Sequence, residues 1–385
     1  MLRFLTAGES HGPGLVTIVE GLPAGLAVSA EGISAELARR RLGFGRGKRM
    51  SLEKDQLEIL GGVRHGVTLG SPVAVLVRNT EWPKWEEIMS PGPGDPGKKI
   101  SRPRPGHADL PGMLKYDTDD ARNILERASA RETAARTVVG YLAKELLGVV
   151  GAAVVSHVTA IGKATYEGPP PGPEDLKEID ASPVRCIDPE ATAAMVVLIE
   201  EAVAKKDTLG GVFEVLAFGV PPGIGSHVHH DRRLDGLIAG GLMSIPAIKG
   251  VEIGSGFEVA VGDGSAAHDE IVQGSEGLTR LSNRAGGIEG GISNGQPIRA
   301  RVAMKPISTL MRPLQTVDMD TGQPAQAVRE RSDVCAVPAA AVVGEQMVAI
   351  ALAGEYMRKF GGDTVEDFKG GFDSYLSRLQ DRISK

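Results

Sequence analysis

Two histidines stand where a packed element would not put them. His11 lies in the glycine-rich run GESHGPG (8–14), and His107 follows a glycine in RPRPGHAD (102–109). Such loops can present an imidazole to a ligand, and imidazole can give or take a proton near neutral pH. Singly, each reads as a surface histidine in a turn. Together, each close to a cluster of bases, they point to a site. Residues 39–49 carry six bases (Arg39, Arg40, Arg41, Arg46, Lys48, Arg49) and no acid, and 98–104 carry four (Lys98, Lys99, Arg102, Arg104). A guanidinium fork takes two oxygens of a phosphate or carboxylate at once. These islands sit in a chain of net charge −6, whereas a nucleic-acid binder is usually basic over a whole face. The pattern suits a small, compact polyanion; the plainer reading is two solvated basic loops.

Further donors follow. The double glycines 286–287 and 290–291 in NRAGGIEGGISNGQP allow close backbone approach or two tight turns. Lys305, Ser308 and Thr309 come directly after an alternating strand, where a cofactor's phosphate or ring edge needs donors. Arg331 and Asp333 place a cation and a carboxylate two residues apart. Arg127 and Arg131, four apart on the helix expected from Asp119 with Ser129 between them, share a face; Glu126 and Glu132 are the neighbours that could pair with them instead. The segment HVHHD (227–231) has the residue types of a zinc site. It lacks HExxH spacing, and Asp231 reads as the N-cap of a following helix, so no metal is expected.

The elements that must position these groups alternate irregularly. Strand-like runs are Leu15–Glu20, Ser71–Arg78, Val149–Ala160, Val212–Val220 and Ile298–Met304. Helix-like runs are Ser34–Leu42, stopping at Gly43, then Asp119–Leu147, Ala194–Lys205, Asp231–Met243, Ala339–Lys359 and Phe368–Ser384. That order speaks for an α+β fold rather than a doubly wound sheet. The one GxGxxG spacing, GPGDPG at 92–97, falls in a Pro/Gly-rich stretch that reads as a surface loop, and GxxxxGK[ST] does not occur, which counts against a Rossmann or P-loop nucleotide site. With 42% hydrophobic and 24% charged residues in 385, the chain can bury a sizeable core. Two cysteines are too few for a disulfide framework. No apolar run reaches the ~18–20 residues of a membrane span, and the N-terminus lacks a signal-peptide pattern. A cytoplasmic protein without membrane or nucleic-acid partners is expected.

The motifs together resemble a known family. GESHGPG at 8–14, RRRLGFGRG at 39–47, RPRPGHAD at 102–109, RASARETAAR at 127–136, GGVFEVLAFGVPPGIGS at 210–226, KGVEIGSGF at 249–257, NRAGGIEGGISNGQPI at 283–298, MKPIST at 304–309 and RSDVC at 331–335 are similar, in order, to the blocks of chorismate synthases. The resemblance covers most of the chain and implies one domain over 1–385, an α+β sandwich of antiparallel sheets and helices, and a homotetramer. It implies conversion of 5-enolpyruvylshikimate 3-phosphate to chorismate and phosphate, the last step of the shikimate pathway, with reduced FMN and no net redox change. That substrate, one phosphate and two carboxylates, is a compact polyanion.

Residue by residue, the resemblance implies His11 as proton donor to the departing phosphate, and Arg40, Arg46, Arg49, Arg104 and Arg131 on the substrate's anionic groups. His107 is implied beside the flavin's pyrimidine edge and Asp333 on its N5 side. FMN contacts are implied for Arg127, Ala128, Ser129, Pro246, Ala247, Gly290, Lys305, Pro306, Ile307, Ser308, Thr309 and Arg331. Pro246 stands where other members often carry an amide and cannot donate. Equivalents of Arg40 and Arg46 are also associated with NADP; substrate is the reading favoured here, with FMN reduced by an external flavin reductase. The competing enzyme class, an NAD(P)H-dependent flavin oxidoreductase, calls for the dinucleotide loop that is missing. An RNA-binding surface calls for interleaved aromatics, and aromatics are 4% of the chain.

Overall fold

Val73, Val75 and Val77 are buried on one side of the strand Val73–Arg78 (β4), the period-two pattern of a sheet with one face on a core. With Arg3–Ala7 (β1), Gly14–Glu20 (β2) and Gln56–Gly61 (β3) it forms an antiparallel sheet in the order β1-β2-β4-β3. This computed structural model describes residues 2–46, 56–95, 97–274, 277–330 and 332–383. A second antiparallel sheet takes Ala153–Ile161 (β5), Ala164–Thr165 (β6), Gly211–Phe218 (β7), Ile248–Ile253 (β8) and Ile298–Met304 (β9), in the order β8-β9-β7-β5-β6.

Helices fill the space between the sheets. Ala30–Arg41 (α1) and Thr133–Gly148 (α4) lie towards the first sheet, Leu234–Met243 (α6) and Val337–Phe360 (α7) towards the second, and α4 packs along α7. Asp109–Tyr116 (α2) and Arg122–Ala128 (α3) close a smaller core of Ile100, Met113, Ala121, Ile124 and Leu125. Pro189–Lys205 (α5) and Val365–Ile383 (α8) pack outside. The α+β sandwich expected from the resemblance is the fold observed. Contrary to the expectation of no membrane-length run, α7 is long and apolar enough to span one, but 83% of its apolar stretch is buried inside the protein. It is apolar because it packs on protein all round.

Where α1, α4 and α7 meet, the core is charged. Glu345 of α7 is fully buried and takes Arg39 at 2.7 Å, Lys144 at 3.0 Å, Arg185 at 3.0 Å and the Ser156 hydroxyl at 2.8 Å. Glu36 and Asp180 supply the balancing charges on Lys144 and Arg39. Burial raises the Glu345 carboxyl, but the surrounding cations outweigh it and hold it far below the usual range.

Two local expectations fail. The helix from Asp119 is not continuous: Ser129 is extended (ψ 137°) and its hydroxyl accepts the Arg131 N–H, starting a new turn at Ala130–Glu132. Serine prefers this capping role to a helix interior, so Arg127 and Arg131 do not share a helix face. Asp231 does not cap α6 but lies in a short turn, His230–Arg232, and the helix begins at Leu234 after Arg233, which pairs with Asp235 at 2.6 Å.

Candidate active site

The loop between β1 and β2 must double back, and Gly8 makes this possible: its φ is +106°, and a Cβ there would fall 2.2 Å from the Gly14 carbonyl oxygen. The loop is tied to α3, with the Ser10 N–H on the Glu126 carbonyl at 2.9 Å and the His11 N–H on Glu126 Oε2 at 2.8 Å. His11 Nδ1 lies 2.8 Å from Glu126 Oε1, and its ring rests on Trp85 at a centroid distance of 3.9 Å. The side chain expected to stand open in a loop is 9% exposed. Burial raises the Glu126 carboxyl, but the hydrogen bond and charge of His11, with Arg122 at 3.3 Å, bring it below its ordinary value. Neither Glu126 nor Trp85 was legible as a site residue. The one signal was a carboxylate in the otherwise apolar run Ile124–Leu125 that α3 buries.

His107 is held in the same manner. Asp109, fully buried at the start of α2, lies 2.5 Å from His107 Nδ1 and takes Arg104 through Nε at 2.8 Å and Nη2 at 3.0 Å. Arg104 Nη1 donates to the Thr309 hydroxyl at 2.9 Å. The Lys305 ammonium donates to the Gly106 carbonyl, and a Cβ on Gly106 would come 3.2 Å from it. Lys305–Thr309 and the His107 loop thus form one unit. Arg104, 7% exposed, spends most of its donors inside it, so the structure gives it a bracing position between the two segments.

The first two arginines of RRR go separate ways. Arg39 enters the buried charge network, while Arg40, 5% exposed, turns to Thr133 with Nη1 3.5 Å from its hydroxyl. Beyond Gly43, Arg46 Nε lies 3.3 Å from Asp333 Oδ2. Gly45 makes this approach possible: at φ +81° a Cβ would meet Ile199 at 2.7 Å, and its carbonyl takes the Val334 N–H at 2.8 Å. Arg49 and Arg331 lie outside the described residues.

Behind α3 a cleft of about 440 Å³ is lined by Phe4, Thr6, Arg127, Ala128, Pro246 and Met347, with Glu132, Arg136 and Ser244 at its polar side. Arg127 donates to the Gly8 carbonyl at 3.1 Å and the Thr6 hydroxyl at 2.6 Å. Arg136 bridges Glu132 at 2.8 Å and the Ser244 hydroxyl at 2.7 Å. Ala247, at the unusual φ of +69°, offers its carbonyl to the Lys305 N–H at 3.0 Å, joining the cleft to the His107 unit. Gly290 lies on a separate hairpin docked through Gly291 onto Ser226 and Leu234, with open space on its Cβ side. His227, His229, His230 and Asp231 are exposed, and among the described residues no three potential metal ligands converge.

A family model described as chorismate synthase matches residues 2–357. This chain belongs to the chorismate synthase family. Chorismate synthases of Frankia casuarinae and Thermobifida fusca are 59% and 58% identical to it, aligned over 98% of this chain and 99% and 100% of theirs. A crystal structure of chorismate synthase superposes with a TM-score of 0.80 at 44% identity, covering 99% of this chain and 98% of that one. The enzyme is therefore a lyase that eliminates phosphate from 5-enolpyruvylshikimate 3-phosphate to give chorismate, in an FMN-dependent reaction.

The residues at the cleft fit what FMN presents, a flat apolar ring system with a polar edge and an anionic tail. Phe4, Ala128, Pro246 and Met347 are apolar walls, Arg127 and Arg136 are cations, and Ser244 is a neutral polar group. The volume is in the ~300–1,000 Å³ range of small-ligand sites. Pro246 lines the cleft and, having no N–H to donate, can contribute packing there.

Proposed function

We propose that this chorismate synthase holds the substrate's anionic groups with Arg40, Arg46, Arg49 and Arg131, and FMN along the cleft from Arg127–Ser129 and Pro246–Ala247 to Lys305–Thr309, with Gly290 and Arg331. His11 gives the proton to the departing phosphate. One observation carries this reading: the short segment Glu126–Arg136 joins the proton donor, one substrate arginine and the cleft. Glu126 holds His11, Arg127 holds the Thr6–Gly8 strand end, Thr133 meets Arg40, and Arg136 meets Ser244 beside Pro246.

The arginines neutralise the phosphate as it leaves, and such pre-placed charge is commonly the largest single contribution at a site of this kind. His11, with Nδ1 2.8 Å from a Glu126 oxygen, supplies the proton that the leaving oxygen takes. His107, braced by Asp109 and Arg104, would serve the flavin's pyrimidine edge, and Asp333, beside Arg46, would hold a proton position on its N5 side. Reduced FMN, when bound, would supply a transient electron that loosens the allylic carbon–oxygen bond and would regain it with the C-6 hydrogen the substrate loses. The resemblance further supports one domain over 1–385 and a cytoplasmic homotetramer.

No glycine fingerprint between a strand-like and a helix-like run is legible in the chain, so FMN is reduced by an external reductase, and Arg40 and Arg46 serve substrate rather than NADP. The test is anaerobic turnover. Chemically reduced FMN yields chorismate and phosphate one for one; oxidised FMN with NADPH, in the dark and without a partner reductase, yields neither. Sustained turnover in the NADPH arm would return Arg40 and Arg46 to a nicotinamide-nucleotide role, and phosphate release with oxidised flavin alone would overturn the reading as a whole.

A further inference from the structure

The Glu126 carboxylate grips the His11 residue twice. One oxygen takes the backbone N–H and the other faces ring Nδ1, both at 2.8 Å, from a side chain buried in α3. An ionised carboxylate can only accept hydrogen bonds, so Nδ1 must be the ring atom that carries the hydrogen. We infer that Glu126 is a positioning residue for proton transfer: it holds the His11 imidazolium by its Nδ1–H, so that the Nε2 proton is the one delivered to the substrate's leaving phosphate and the neutral ring left behind is the Nδ1–H tautomer. The inference rests on the reading of His11 as proton donor.

Three further contacts hold the arrangement. Trp85 covers one face of the imidazole at 3.9 Å, which limits tilt about the Nδ1–carboxylate axis. Arg122 reaches the same Glu126 oxygen at 3.3 Å and lies over the Trp85 ring at 5.1 Å, so carboxylate and indole are braced together. These charges also favour the ionised form of Glu126 despite its burial. When Nε2 has given its proton to the phosphate oxygen, His11 is left neutral with Nδ1–H still on Glu126, and water reprotonates Nε2 after product leaves. A carboxylate that orients an imidazole without itself taking the proton acts in the same way in serine hydrolases.

Glu126 also tethers the 8–14 loop, so the experiment must separate orientation from scaffolding. It compares Glu126→Gln, Glu126→Asp, His11→Ala and the double variant His11→Ala with Glu126→Gln, all with chemically reduced FMN. Glu126→Gln keeps the shape but not the obligate acceptor, and is expected to lower kcat by about 10²-fold, with KM and FMN affinity within about threefold of wild type. Residues that act as a unit are non-additive, so in the His11→Ala background the same substitution should slow turnover no further. Glu126→Asp retains the charge and should recover part of the rate; it also serves if the glutamine variant folds poorly. Nitrogen-15 shifts of the His11 ring give an independent readout, a protonated Nδ1 in the wild type and a tautomer mixture in Glu126→Gln. If Glu126→Gln slows both backgrounds equally, or turns over like wild type while His11→Ala is slow, Glu126 does not act through His11. Wild-type turnover by His11→Ala itself would remove the proton-donor reading and the inference with it.

Discussion

Arg46 and Asp333 meet across the fold, with guanidinium Nε 3.3 Å from a carboxylate oxygen. Arg46, proposed for the substrate, and Asp333, proposed for the flavin, therefore stand side by side. The contact also ties the Gly43–Arg46 loop to the segment entering α7.

The pair should therefore behave as one unit in substrate binding. Arg46→Ala is expected to weaken 5-enolpyruvylshikimate 3-phosphate binding by ~2–5 kcal/mol, because it strands charge on the phosphate, with FMN affinity little changed. Asp333→Asn should be coupled to it, with a double-mutant interaction of ~0.5–3 kcal/mol. Titration of substrate into the four proteins measures this. Strict additivity would mean the contact is incidental, and a collapse of FMN binding in Arg46→Ala would mean the two sites are exchanged.

Asp109 should give an acid-dependent signature. Burial raises its carboxyl, but hydrogen bonds with His107 and Arg104, and their charges, outweigh it and hold it well below the usual carboxylate range. A carboxyl lowered on folding stabilises above its unfolded value, ~3.9 for aspartate, and that stability is lost as pH falls through the folded value. Asp109→Asn leaves Arg104 buried without its partner and should cost ~3–5 kcal/mol at pH 7. The gap from wild type should begin to close below about pH 4. Urea midpoints at pH 7 and pH 3 check this; a gap of equal size at both would refute the linkage.

Glu345 belongs to stability alone. Glu345→Gln keeps the volume and the approach to Ser156 but leaves Arg39, Lys144 and Arg185 facing one anion fewer. The expected loss is ~3–5 kcal/mol, seen as a lower urea midpoint, while turnover per folded enzyme stays at the wild-type level. An unchanged midpoint would show that the remaining charges rearrange at no cost.

Much of this protein was readable in one dimension. Alternation along Ser71–Arg78 and Ile298–Met304 gave strands observed at Val73–Arg78 and Ile298–Met304, because a period of two is a local property of a strand with one buried face. The ordered glycine- and arginine-rich blocks were enough for the family, since residue types at fixed spacing need no tertiary context. Partnerships were different. Arg39, Arg40 and Arg41 are indistinguishable in a string, yet on a helix each successive side chain is turned by ~100°, which sends Arg39 to Glu345 and Arg40 to Thr133. The Ser129 break depends on a hydroxyl choosing between continuing a helix and capping a new turn, a contest of small energies that packing decides. His11 and Glu126 come from opposite ends of a long stretch of chain and meet only because α3 docks beneath the β1–β2 loop. The sequence by itself determined which chemical groups are present and which local elements carry them. Only the tertiary structure decided which carboxylate faces which base, because a buried charge takes whichever partner the packed fold brings within reach.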